Sequence, residues 1–285
     1  MEQYMDAFDL PDPVVSVITP NFNGCRFLER CIESVRRQEF SVEHIIVDDC
    51  SHDDSWLMLQ RLAARYPWVK PIRLADNSGP VHARNRAIDE ARGRFVAFLD
   101  VDDFWVRDKL SKQVNFMMER GVALSFSDYR FVSEDGKLIG RRLQGFDSIG
   151  WHLHHMTRYL GCLTVIVDRL YVPDFSIPEI KPATRAEDFL SWSNIIREHG
   201  AAVRCPYDLA RYSVVRDSRS AAKMGSVSVW RLYRNVEGLS FVSSALYFSV
   251  YALGVFWKRY RFKPVLPRSE VDSDFEWSLV GPGAT

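Results

Sequence analysis

The stretch FVAFLDVDDFW, Phe95 to Trp105, carries an apolar run into three carboxylates, Asp100, Asp102 and Asp103. Like charges this close repel, and burial raises the penalty. The cluster therefore asks for a positive partner, either a cation or a basic side chain. A hard divalent ion such as Mg2+ or Mn2+ takes one or two carboxylates, fills its remaining positions with phosphate oxygens and water, and needs neither His nor Cys. A solvated loop with an acid capping a helix near residue 108 is the competing reading. Spacing alone leaves both open.

Other residues carry comparable potential. Asp48 and Asp49 close the apolar run of IIVDDCSHDDS, where a carboxylate can accept a hydrogen bond from a base N–H or a ribose hydroxyl. Asp53 and Asp54 in the same stretch are expected to cap the next helix. In DNSGPVHARNRA, Gly79 permits a tight turn into a helix opened by Pro80, and Arg84 lies one turn inside, within reach of a diphosphate. Glu187-Asp188 forms an acidic pair that, taken alone, suits the positive end of a helix dipole. His152, His154 and His155 in WHLHHM lack the second half of a zinc site and read as a loop or surface turn.

These groups need elements to hold them. VVSVITP (14–20), EHIIVDD (43–49), VKPIRLA (69–75) and RFVAFLD (94–100) read as buried strands. Between them, 23–38, 53–66 and 80–92 show helical periodicity, with Asn23 as the expected cap of the first. Strict alternation predicts a mostly parallel sheet flanked by helices. In such sheets ligands bind beyond the carboxyl ends of the strands, which gathers these distant acids at one edge. Past residue 105 the pattern loosens, with helices expected at 108–120 and 185–200 and strands at 123–133, 163–169 and 209–215.

Bulk properties narrow the class. Lys plus Arg and Asp plus Glu balance at 37 each, which argues against a broad nucleic-acid surface. Five scattered cysteines with no C-x-x-C pair argue against a disulfide framework or zinc site and fit a reducing, cytoplasmic setting. The acidic residues 1–13 read as a flexible leader with no secretory h-region.

Taken together, SVITPNFN, VDDCSHDDS, NSGPVHARN and DVDD resemble, in order, the motifs of the inverting family 2 glycosyltransferases over residues 14–220. The resemblance implies a Rossmann-like glycosyltransferase A fold, its sheet mixed but mostly parallel. It places Pro20 and Phe22 around the nucleotide base, Asp49 or Asp48 in contact with that base, Asn77, Gly79 and Arg84 on the nucleotide, Asp100 near the ribose and Asp102 on Mn2+ or Mg2+. It implies Asp188 as the catalytic base beside Glu187, and Thr164 near the acceptor. It also implies a loop folding over the diphosphate, with Arg216, Ser218, Arg219 and Ser220 as candidate phosphate ligands. Val215 stands about where one version of that loop has a metal-binding His, so a third protein ligand is not implied, and Arg216 or Arg219 would supply positive charge instead.

The activity so implied is metal-dependent, inverting hexosyl transfer from a nucleotide sugar, a UDP-sugar above all, to a saccharide or lipid-linked saccharide hydroxyl in bacterial surface polysaccharide assembly. A non-catalytic nucleotide-sugar-binding protein of the same fold is the alternative. A nucleotidyltransferase would want a more glycine-rich first loop than NFNGCRF. The expected organisation is a nucleotide-sugar half at 14–105, an acceptor and base half at 106–225, and a helical appendage at 226–285. Within the last, Leu239 to Trp257 carries no charge and is followed by Lys258, Arg259, Arg261 and Lys263. Three readings stay open there: a helix packed on the chain or on a second copy as a homodimer, peripheral membrane contact through 230–263 at the cytoplasmic face of the inner membrane, and a transmembrane span.

Overall fold

A computed structural model describes residues 12–139, 142–180, 186–215 and 226–261. The expected alternation is present: β1 (Val15–Asn21), α1 (Cys25–Arg36), β2 (Val42–Asp48), α2 (Ser55–Arg65), β3 (Val69–Arg73), α3 (Pro80–Asp89) and β4 (Phe95–Phe98). These four strands are parallel and ordered β3-β2-β1-β4. The chain thus winds outward from β1 in one direction, then returns to add β4 on its other side. That reversal opens a crevice at the carboxyl ends of β1 and β4, where such sheets bind ligands.

The strands read as apolar runs because both faces are covered. Val15, Val17, Phe95 and Ala97 pack under α1 and α4 (Lys109–Arg120), against Cys31, Val35, Leu110 and Val114. On the other face Ile18, Ile45, Val47, Val96 and Phe98 meet Ala83 and Ala87 of α3 and Trp192 of α6 (Glu187–His199). Trp192 lies edge-on to Phe98 at 5.6 Å and seats α6 beneath β4.

Beyond residue 103 the sheet becomes mixed. It continues through β5 (Phe104–Trp105), β6 (Leu124–Ser133), β7 (Ser148–Ile149), β8 (Val165–Asp168) and β9 (Ala202–Val214). The order beyond β4 is β8-β6-β9-β5; β8 runs antiparallel to β4 and β6, whereas β6 and β9 are parallel. Because β8 opposes β4, its start lies at the crevice edge, Ala97 pairing with Ile166. Strand β9 is longer than the predicted 209–215, and the two-residue strands β5 and β7 carry too little pattern to be predicted.

The WHLHHM segment corrects an expectation. It forms α5 (Trp151–Thr157), and His154 and His155 are buried rather than displayed on a surface turn. His154 stacks on Phe189 of α6 at 4.3 Å. Around it pack α7 (Ser226–Arg231), a following π-helical turn (Leu232–Val236) and α8 (Phe241–Arg261), giving the helical appendage.

Candidate active site

The loops after β1 and β2 are zipped together. Asn21 donates to Asp48 at 2.8 Å, Ser51 Oγ donates to the same carboxylate at 2.5 Å, and the Asn23 N–H donates to Ser51 Oγ at 2.9 Å. Asn23 sits at φ 52° and accepts from the His52 N–H instead of capping α1, whose N-cap is Gly24. A Cβ on Gly24 would lie 2.4 Å from Asn21 Oδ1 and 2.8 Å from Val101, so only glycine lets this loop meet the acidic one. Asp53 accepts from the N–H of Ser55, at the start of α2, and of Cys25 at the start of α1. Its neighbour Asp54 occupies the N-cap position of α2 without a side-chain bond.

The two acids at the end of β2 do different work. Asp48 is fully buried by the network above and lies 3.6 Å from Arg73 Nε. Asp49 accepts from the N–H groups of Ser78 at 2.7 Å and Gly79 at 2.8 Å. It thereby fixes the turn that enters α3, where Gly79 adopts φ 89°. Asn77 in that turn and Phe22 at the end of β1 are exposed, and Pro20 is half-buried.

From this turn, α3 points Arg84 at the acidic cluster. Arg84 Nη2 contacts Asp100 Oδ1 at 2.5 Å, the arginine 14% and the aspartate 38% exposed. Burial works against the charge, yet Asp100 holds the guanidinium firmly protonated, with a further contribution from Asp188. The Arg84 Nε is buried without a partner. Asp100 therefore has its basic partner in Arg84, while the charge of Arg30 bears on Asp102 and Asp103. Burial, and then the Asp100 charge, push the Asp102 carboxyl up to about 6. Asp103 is displaced further upward by burial and its two neighbours; it accepts from the Ser213 N–H at 2.8 Å and pins β9 to the loop.

Sequence reasoning missed Arg30. Its guanidinium reaches from α1 to the carbonyl oxygens of Asp102 at 2.6 Å and Glu134 at 2.9 Å, and to Ser213 Oγ at 3.1 Å. Its only sequence signal was a basic residue beside the buried stripe of α1.

Asp188 approaches from α6. It lies in the first helical turn with Glu187, as its position before the apolar stripe suggested. Its Oδ1 accepts from the Phe189 N–H at 2.7 Å. Burial raises its pKa, offset in part by that bond and by Arg84 and Arg158. Arg158, also missed, lies over the Phe189 ring at 4.8 Å, with Nη1 buried and unpartnered. The neighbourhood is thus continuous: Asp102 feels Asp100, Asp100 pairs with Arg84, and Arg84 feels Asp188.

Thr164 ends the turn before β8 and is buried, its hydroxyl donating to the Gly161 carbonyl at 3.1 Å. Arg216, Ser218, Arg219 and Ser220 lie outside the described residues. A shallow recess between Arg92, Arg94 and Arg169 opens at the opposite end of β4 and includes none of the predicted site residues.

Among the described residues no three His, Cys, Asp or Glu side chains converge as a self-sufficient metal site. The donor set instead suits a cation that takes most of its ligands from elsewhere. Asp102 has its charge opposed by Asp100 and offset only in part by Arg30 and Arg26; a divalent ion would relieve that opposition.

Comparison with known proteins agrees with this geometry. The chain is 36% identical over 249 residues to "Putative teichuronic acid biosynthesis glycosyltransferase TuaG" of Bacillus subtilis, covering 87% of this chain and 98% of that protein. It is 28% identical over 217 residues to "UDP-Glc:alpha-D-GlcNAc-diphosphoundecaprenol beta-1,3-glucosyltransferase WfgD" of Escherichia coli, covering 75% and 82%. Among solved structures, S. aureus TarS 1–349 in complex with UDP-GlcNAc superposes with a TM-score of 0.63 at 21% identity, over 86% of this chain and 72% of that one. The mannosyltransferase PcManGT of Pyrobaculum calidifontis, in complex with GDP-Man and Mn2+, gives 0.61 at 16% identity, over 91% and 79%. The profile described as "Glycosyl transferase family 2" matches residues 16–169, more than half of the 285 residues. With the fold, the ordered motifs and these likenesses in agreement, the chain belongs to glycosyl transferase family 2.

Proposed function

We propose that this glycosyltransferase moves a hexose from a UDP-sugar to a hydroxyl of a lipid-diphosphate-linked saccharide, with inversion and with a divalent cation, in bacterial surface polysaccharide assembly. The observation that carries the reading is the charge-coupled series Asp102, Asp100, Arg84 and Asp188, in which the Arg84–Asp100 pair joins α3 to the loop after β4. Relatives whose names specify UDP-Glc and a diphosphoundecaprenol acceptor support the donor and acceptor classes.

In this reading the nucleotide lies over the carboxyl ends of β1 and β2. Exposed Phe22 and Pro20 flank the base, the turn at Asn77 to Gly79 contacts it under the control of Asp49, and Asp100 faces the ribose. A bound Mn2+ or Mg2+ would supply Lewis-acid stabilisation of the leaving diphosphate, held on the protein side by Asp102. Arg84, held beside Asp100, would supply positive charge to the same phosphates. Asp188 commits Oδ1 to its own helix and keeps Oδ2 for the acceptor. As the acceptor oxygen attacks the anomeric carbon, its proton passes to Asp188 Oδ2. The bond from carbon to diphosphate oxygen breaks, and its electron pair leaves with UDP. Burial favours the protonated product form of Asp188, as a base that must gain a proton in the transition state requires. The organisation into a nucleotide half at 14–105, an acceptor half at 106–225 and a helical tail remains part of this proposal.

Titrating UDP with and without Mn2+ tests the cation's place. Wild type is expected to bind UDP more tightly when Mn2+ is present, and Asp102→Asn to lose that gain while Asp188→Asn keeps it. A metal-independent affinity in wild type would remove the cation from the reading.

A further inference from the structure

Packing divides the residues of α8 into two groups. Ser244, Tyr247, Phe248 and Tyr251 turn inward toward α5 and the π-helical turn. At 3.6 residues per turn, Val242, Leu246, Val250 and Leu253 share a different stripe. That stripe is bare: the four are 76%, 55%, 37% and 60% exposed, with Phe241 beside them at 65%. Single exposed apolar side chains need no explanation, but a continuous stripe marks an interaction surface.

The sequence says what kind of surface would cover it. From the last turns of α8 onward the sequence reads WKRYRFK, with Lys258, Arg259, Arg261 and Lys263 set among Trp257, Tyr260 and Phe262. No Asp or Glu occurs between Glu237 and Glu270. A second copy of the chain would cover the apolar stripe but bring no anion to these cations from the same segment. An anionic bilayer surface satisfies both, taking apolar side chains into the acyl boundary and setting cations against lipid phosphates. Among the described residues no helix is long and apolar enough to cross a membrane, so α8 would lie on the surface rather than span it.

We propose that the exposed stripe of α8 and the basic aromatic stretch 257–263 dock on an anionic lipid surface, the helix lying in the interfacial plane. The dock bears on the site through packing. The buried face of α8 shares a cluster with Phe189 and Leu190, which immediately follow Asp188. A docked α8 therefore sets the base-carrying turn of α6 at a fixed place relative to the bilayer. That consequence, though not the docking itself, rests on the lipid-linked acceptor reading.

Sedimentation of the full chain with vesicles tests this. Wild type is expected to pellet with phosphatidylcholine vesicles containing phosphatidylglycerol, weakly with phosphatidylcholine alone, and less at high salt. Leu246→Glu combined with Leu253→Glu should lower the partition coefficient by at least roughly tenfold. Circular dichroism and turnover on a soluble acceptor should be unchanged, because both side chains face solvent. Turnover on that acceptor also separates failure of docking from failure of the catalytic reading. Wild type remaining in the supernatant with anionic vesicles overturns the proposal. So does a double variant that pellets like wild type, or a wild-type dimer that the double variant dissolves while neither binds vesicles.

Discussion

Replacing Asp188 by Asn separates a catalytic base from a structural acid, because the structure sets the two effects at different sizes. Asn is isosteric, and its Oδ1 can keep the 2.7 Å bond from the Phe189 N–H, so the first turn of α6 should stay formed. What disappears is the negative charge. Arg84 keeps its Asp100 partner at 2.5 Å. Arg158 loses the carboxylate that offsets its burial but retains its place over Phe189, a contact of about 0.5–2 kcal/mol. The expected loss of stability is therefore about 1–2 kcal/mol, an ordinary substitution effect. Turnover should fall much further, by roughly 10²–10⁴-fold, the usual worth of a positioned base and equivalent to about 3–5 kcal/mol of barrier. Single-turnover UDP release with acceptor measures the second effect, chemical denaturation the first, and UDP titration confirms that the donor side is intact. A variant that keeps kcat within threefold of wild type while losing the expected stability would refute the reasoning and leave Asp188 as part of the scaffold.

Three further outcomes follow from the same geometry. Gly79→Ala meets no atom within 4 Å, so its penalty is confined to the backbone at φ 89°, about 1–3 kcal/mol, and should appear as lower thermal stability with a raised donor KM as the turn held by Asp49 shifts. Arg30→Met removes the clamp on the Asp102 carbonyl and should raise the Mn2+ Kd of the UDP complex roughly tenfold, read by calorimetry, while UDP alone binds as before. Lys109 is fully buried against Gln113 and the Thr164 carbonyl, and burial pulls it from 10.5 down to about 7. Between those values the unfolded chain binds the extra proton, so stability should rise with pH by up to about 1.4 kcal/mol per unit. Denaturation midpoints across that window should flatten in Lys109→Met, and an unchanged slope would show that the group does not titrate there.

The sequence by itself determined the parallel half of the sheet. Val15, Val17, Ile45, Val47, Val96 and Phe98 had to be buried on both faces, and alternation with helices leaves one handed way to do that. It also located the acids at strand tips, because Asp48, Asp49 and Asp100 each terminate an apolar run. What each acid does was decided only by tertiary contacts. Asp48 and Asp49 are neighbours of identical chemistry, yet one is locked in a network of Asn21 and Ser51 and the other holds two backbone N–H groups some thirty residues away. The basic partner of Asp100 was likewise tertiary: Arg84 reaches it from α3, and Asp102 beside it has its pKa raised. Arg30 and Arg158 carried no local signature, since their meaning lies in carbonyls and rings supplied by other elements. WHLHHM reads as polar, yet its stacking on Phe189 and burial beneath α8 came from segments far along the chain. Periodicity reports which face of an element is buried, a local property of the chain. Partnership depends on which elements meet, and that is settled only when the whole core closes.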